Sequence, residues 1–154
     1  MVQVAPDTSV ARNKSVFLAD MAGSRLPIVV SHGEGRADFS VSSSSSSSSR
    51  PAGATTPAER LKQLSDAGQI PLRYIDNYGA VTEKYPANPN GSPDGVAGVS
   101  SKDGRVLALM PHPERTIMAD AAGSWVSDGL RAKLGPNTYA PWFRLFLNAR
   151  KWVG

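Results

Sequence analysis

Apolar residues in this chain fall mostly in short runs separated by turn formers, a pattern that predicts several strands and few helices. The run Leu26-Pro27-Ile28-Val29-Val30 is rich in β-branched residues and bounded by Gly23 and by Ser31-His32-Gly33. It reads as a buried strand closing in a tight turn. Residues 37–41 alternate and predict a second strand. Residues 70–75 form a third, and Asn77-Tyr78-Gly79 turns the chain into another around Val81-Thr82. Val96-Ala97-Gly98-Val99 and Val106-Leu107-Ala108-Leu109-Met110 flank Lys102-Asp103-Gly104, the pattern of a hairpin with an Asp-Gly turn. The second arm is apolar at every position, which predicts cover on both faces.

Helical spacing is confined to three places. Thr56-Pro57-Ala58-Glu59 is a capping box with proline at the first helical position, and Leu61, Leu64 and Ala67 follow on one face. Gly68 is the expected stop, a glycine able to take the left-handed turn at C′. Residues 116–122 predict a second helix, followed by an irregular stretch to Thr138. Trp142, Phe146, Ala149 and Val153 recur at helical intervals, with Leu145 and Trp152 beside them. That stripe predicts an amphipathic helix packed on the sheet, with Arg150 and Lys151 placed well against its C-terminal dipole. Strands mixed with few helices indicate an α/β layer architecture.

Two segments resist regular structure. Eight consecutive serines, Ser42 to Ser49, run into Arg50-Pro51-Ala52-Gly53-Ala54-Thr55. Nothing there repays ordering by burial, so residues 42–55 read as a disordered insertion within one domain, residues 1–154. Residues 86–95 pack proline, glycine and asparagine too densely for a helix or central strand.

Bulk composition narrows the function. A chain of 154 residues is about one domain, and 40% hydrophobic with 19% charged residues fits a soluble globular protein. The absence of cysteine excludes disulfides, thiolate metal sites and a cysteine nucleophile within the chain, and is compatible with a cytoplasmic setting. No apolar run approaches the roughly 20 residues of a membrane span, and the first residues lack the pattern of a signal peptide. The net charge of +4 arises from basic residues scattered between Arg12 and Lys151. A nucleic-acid surface would cluster them, so neither a membrane nor a nucleic acid is an expected partner.

The candidate chemistry lies in Pro111-His112-Pro113-Glu114-Arg115, immediately after the apolar run ending at Met110. Reactive groups in α/β sheets gather at the carboxyl ends of strands. Pro111 and Pro113 each fix φ beside His112. Glu114 is spaced to accept a hydrogen bond from one imidazole nitrogen, which leaves the other to take a proton from a nucleophile. The same spacing also suits a purely structural pair. Other sites fail on specifics: there is no Pro-Cys-x-x-Cys to complete a zinc deaminase and no Gly-x-Ser-x-Gly of a serine hydrolase. Neither His-Glu-x-x-His nor a phosphate-binding Gly-x-x-x-x-Gly-Lys occurs, and His32 and His112 are the only histidines.

Three segments together are more specific than any alone. Ser31-His32-Gly33-Glu34-Gly35-Arg36, Tyr85-Pro86-Ala87-Asn88-Pro89-Asn90-Gly91-Ser92 and Leu109-Met110-Pro111-His112-Pro113-Glu114-Arg115 resemble, in this order, the glutaminase domain of the formylglycinamide ribonucleotide amidotransferase family. The likeness runs from about Met21 to Gly154 and includes Pro141-Trp142 and Asn148-Ala149-Arg150-Lys151. It implies a flavodoxin-like, three-layer class I glutamine amidotransferase fold lacking its N-terminal half.

It also implies a Cys-His-Glu triad in which His112 is the base and Glu114 its orienter. In that family a cysteine attacks the side-chain amide of glutamine. The ammonia released passes to a synthetase domain that uses ATP and magnesium to form an amidine in purine biosynthesis. The family's cysteine lies on a Gly-x-Cys-x-Gly-Cys turn upstream of the Ser-His-Gly-Glu-Gly segment, and this chain has none. The resemblance therefore implies a C-terminal portion that works with glutamine, with the missing upstream glutaminase half and with the synthetase domain, and is inactive alone. No cofactor or metal is expected to bind its own residues. A non-catalytic remnant or partner-binding protein is the alternative. His32 reads either as a cleft or interface residue or as a turn histidine. Asn88, Asn90 and Ser92 read either as a coupling loop or as turn formers.

Overall fold

Val2, Val4, Leu72 and Trp142 are almost wholly buried in the computed structural model, and they lie where strand alternation and one helix N-terminus bring them together. The structure describes residues 1–6, 15–40, 56–121, 127–135 and 138–154. Among these are five strands, β1 (Val2–Val4), β2 (Arg25–Leu26), β3 (Leu72–Tyr74), β4 (Val96–Ser100) and β5 (Leu107–Leu109). Three α-helices accompany them: α1 (Pro57–Asp66), α2 (Asp128–Leu134) and α3 (Phe143–Val153). The strands form one sheet in the order β2-β1-β3-β4-β5, and every pairing is antiparallel.

Period-two alternation sets the sheet's inner face. In β1 and β3 the outer residues are buried and the central ones, Gln3 and Arg73, are less so; Val2 lies opposite Tyr74 and Val4 opposite Leu72. Leu18, Met21, Ala97, Trp142 and Leu145 complete the core. Trp142 alone removes an indole from water, an upper bound on the order of 5 kcal/mol. A 3-10 turn at Val16–Leu18 packs under α3, and the buried Asn148 side chain joins them by donating to the carbonyls of Phe17 at 2.9 Å and Ala19 at 2.7 Å.

Where local chemistry decides the conformation, the expected elements form. At α1 the Glu59 N–H donates to Thr56 Oγ1 at 3.2 Å and the Thr56 N–H to Glu59 Oε2 at 2.6 Å. Gly68 takes φ +69° and ends the helix. The hairpin of β4 and β5 forms around Gly104, at φ +73°.

Other expectations are corrected. Residues 26–30 do not form a strand: β2 ends at Leu26, Pro27 brings no N–H, and Val29 makes a single bridge to His112. Residues 37–40 form no strand because Asp38 takes both the N–H and the hydroxyl of Ser40, a local competitor to ladder pairing. Val41 and the insertion at 42–55 lie outside the described residues. In place of a helix over residues 116–121, a 3-10 turn spans Pro113–Thr116; Ala122, the end of the expected helix, lies outside the described residues. The backbone of 117–119 then pairs with 138–140, through Ala119 N–H to Thr138 O and Ala140 N–H to Ile117 O. Residues 123–138 are not wholly irregular, since they contain α2.

Strand β5 is the sheet's edge, with Val106 and Met110 exposed, so its apolar sequence does not mean cover on both faces here. The buried face of α3 is Trp142, Leu145 and Asn148, while Phe146, Trp152 and Val153 face outward. Asn148 turns the helix, because its amide donates to two part-buried carbonyls that no apolar residue could serve. No helix among the described residues is long and apolar enough to cross a membrane.

Candidate active site

His112 stands three residues past the end of β5, on a loop stiffened by Pro111 and Pro113. Its backbone N–H donates to Val29 O at 2.8 Å, and its carbonyl accepts from the Arg115 N–H at 3.3 Å as the 3-10 turn begins. Thr116, buried beneath, donates its hydroxyl to Pro113 O at 3.2 Å. The sharp turn brings the side chain of Glu114 back alongside that of His112.

The two side chains meet at 2.7 Å, His112 Nδ1 to Glu114 Oε1. Several effects set the carboxyl of Glu114. Partial desolvation raises its pKa, but its own backbone N–H, the bond from His112 and the charges of His112 and Arg115 outweigh that and hold it below the usual value. An ionised carboxylate only accepts, so Nδ1 carries the proton. In the neutral imidazole Nε2 is then an acceptor, and it bonds to no other described residue. The imidazole is about one-third exposed and borders an open apolar groove of about 410 Å³ formed with Leu109, Met110, Phe146 and Phe17. Two larger hollows, of about 640 and 530 Å³, adjoin α1 and residues 36–40. Neither is lined by a histidine.

The remaining sequence candidates are near one another but are not bonded to this pair. Asn88, fully buried, donates to Thr82 O and Ser92 O at 3.0 Å each and accepts from the Ser92 N–H at 3.1 Å. Ser92 Oγ accepts from the Ala37 N–H at 3.0 Å, and Asn90 donates to Gly33 O at 3.1 Å. Thus the Ser-His-Gly-Glu-Gly-Arg and Asn-Pro-Asn-Gly-Ser segments clasp each other, a contact no spacing rule announces. The ring of His32 lies over Gly35, where a Cβ would fall 1.8 Å from Cε1, and neither ring nitrogen has a partner. No group of three histidine, aspartate or glutamate side chains among the described residues could hold a metal ion.

Residues 1–153 match the family of CobB/CobQ-like glutamine amidotransferase domains. The chain belongs to that family. The match takes in the first twenty residues, so the likeness extends beyond the stretch from Met21 that the three motifs delimit. The chain is also similar to the phosphoribosylformylglycinamidine synthase of Saccharomyces cerevisiae, 47% identical over all 154 residues. It spans about a tenth of the length of that relative (10%). The mixed α/β fold of this amidotransferase domain, with its antiparallel sheet, is consistent with a partial glutamine amidotransferase fold. Within it, the backbone bond from His112 to Val29 and the indole of Trp142 are features that sequence reasoning missed. The pairing of Val29 with His112 joins positions 83 residues apart and has no local signal.

Proposed function

We propose that this chain supplies the base and the orienter of a glutamine-hydrolysing site in a longer phosphoribosylformylglycinamidine synthase. The observation that carries the reading is the 2.7 Å bond between His112 Nδ1 and Glu114 Oε1, which leaves Nε2 as a proton acceptor at the groove. The membership of the family and the identity to the yeast synthase support it.

The chain holds no cysteine, so the thiol comes from the rest of the longer protein. Nε2 takes the thiol proton, and the thiolate attacks the amide carbon of glutamine. Collapse of the tetrahedral adduct breaks the C–N bond, and the imidazolium returns its proton to the departing nitrogen, releasing ammonia and leaving a thioester. Water activated by the same imidazole then forms glutamate and restores the thiol. Glu114 keeps Nδ1 protonated and stabilises the imidazolium in both halves. The ammonia serves an ATP- and magnesium-dependent ligation that converts formylglycinamide ribonucleotide to its amidine, carried out by residues outside this chain, in the cytoplasm.

A full-length synthase carrying this chain, made by exchanging it for the matching tenth of the yeast enzyme, tests the reading. His112→Ala should abolish glutamine-dependent synthesis, by about 10³-fold or more, and leave synthesis from added ammonium intact. Loss of both activities would assign His112 a structural part only. The missing cysteine favours a second reading, a partner-binding piece with no catalytic share; full glutamine-dependent activity in the His112→Ala enzyme would support it.

A further inference from the structure

The carbonyl that fixes the backbone of His112 lies on a segment with little sheet support of its own. Strand β2 ends at Leu26, Pro27 has no N–H, and Val29 contributes one isolated bridge. Ile28 and Val30 pack against the core. Apolar packing is non-directional, however, and does not set where a peptide carbonyl points. Directional bonds do.

Trp142, 1% exposed at the start of α3, donates its indole N–H to Pro27 O at 2.6 Å. Two residues further on, Val29 O accepts the His112 N–H at 2.8 Å. On the far side, Asn90 holds Gly33 O and Ser92 holds the Ala37 N–H. Residues 27–37 therefore form a strap bonded at one end by Trp142 and at the other by the Asn88–Ser92 loop, with the tie to His112 between them.

We infer that Trp142 is a positioning residue for His112, acting through the Pro27–Val29 strap, an inference that rests on the glutaminase reading. It touches no reacting atom. A tilt of the Pro27 peptide carries the Val29 carbonyl with it, and His112 follows through its backbone N–H. Displacements of this kind matter because about 1 Å of misplacement can cost on the order of 100-fold in rate.

The test uses the same full-length enzyme. Trp142→Phe keeps an aromatic ring and removes the donor. Site-specific replacement of Trp142 by 3-benzothienylalanine puts sulfur in place of the N–H within the same shape, and so serves if the smaller ring impairs folding. Either change should lower kcat with glutamine about tenfold, keep the KM for glutamine within about twofold, and leave the ammonium-dependent rate unchanged. Hydrogen exchange should show faster exchange of the His112 amide, with the amides of β3 and β4 still protected. Unchanged kcat, or unchanged exchange at His112, overturns the inference. Parallel loss of ammonium-dependent activity and of core protection also overturns it, by making Trp142 a packing residue. Measuring His112→Ala alongside separates the two readings. If that variant keeps its glutamine activity, the glutaminase reading fails first and this inference falls with it; if it loses that activity while the Trp142 variants do not, only the inference fails.

Discussion

At the scale of single residues, the proposed chemistry depends on one proton being held in one place. Glu114 stays ionised through the neutral range because its carboxyl is held below its ordinary value, by bonds and charges that overcome partial desolvation. A depressed carboxyl contributes stability that is fully present above the unfolded pKa and is lost as pH falls through the folded one. The hydrogen bond from His112 to an ionised Glu114 should therefore hold at neutral pH and be lost in acid as the carboxylate is protonated. The carboxylate is about half exposed, so its stabilising share is small and salt-sensitive, while its effect on tautomer is large. Glu114→Gln in the full-length synthase should lower glutamine-dependent kcat by on the order of 10²–10⁴-fold with little change in KM. Thermal midpoints of the two proteins, measured against pH, should converge as the solution is acidified; a gap that widens in acid would contradict the depressed carboxyl. The His-x-Glu pair was legible because two residues suffice to make it. Its partner at Val29 was not, because that bond depends on where the chain returns.

At the scale of elements, the features that read correctly are those closed within a few residues. The capping box, the proline at N1 and Gly68 define both ends of α1 without help from the rest of the molecule. Thr56→Ala should weaken the first turn by about 1 kcal/mol, seen as a roughly fivefold faster exchange of the Glu59 and Arg60 amides. Unaltered exchange there would mean that packing, not the cap, holds the helix end. The features that misread are those decided across elements. The apolar stripe of α3 pointed to Phe146 and Val153, yet the buried face includes Asn148, whose amide answers two carbonyls of the 3-10 turn. A count of apolar residues has no means of weighing a polar side chain that satisfies backbone carbonyls at the helix's inner face. Residues 116–121 likewise carry helix-compatible residues, but the Ile117 carbonyl is taken by the Ala140 N–H and the Ala119 N–H by the Thr138 carbonyl.

At the scale of the molecule, the edge strand β5, the open groove beside His112 and the absence of cysteine are one set of facts. An apolar strand at an edge exposes unpaired backbone and apolar side chains together, a surface that ordinarily pairs or is covered. The purified 154-residue chain is expected to release no ammonia from glutamine, since it has a base with no nucleophile to serve; turnover above that of a His112→Ala control in a coupled glutamate assay would refute this. From the sequence by itself came the limits of α1, the hairpin, the pair at His112 and Glu114 and the three-motif likeness, all of which rest on short-range geometry or on residue identity. Tertiary structure alone decided that the sheet is antiparallel with β5 at its edge and that the motif loops at 31–37 and 88–92 clasp each other. It also decided that Trp142 and His112 are tied to the same strap. The loop and strap contacts join residues 50 or more positions apart, and their energy appears only when the whole chain has closed upon itself.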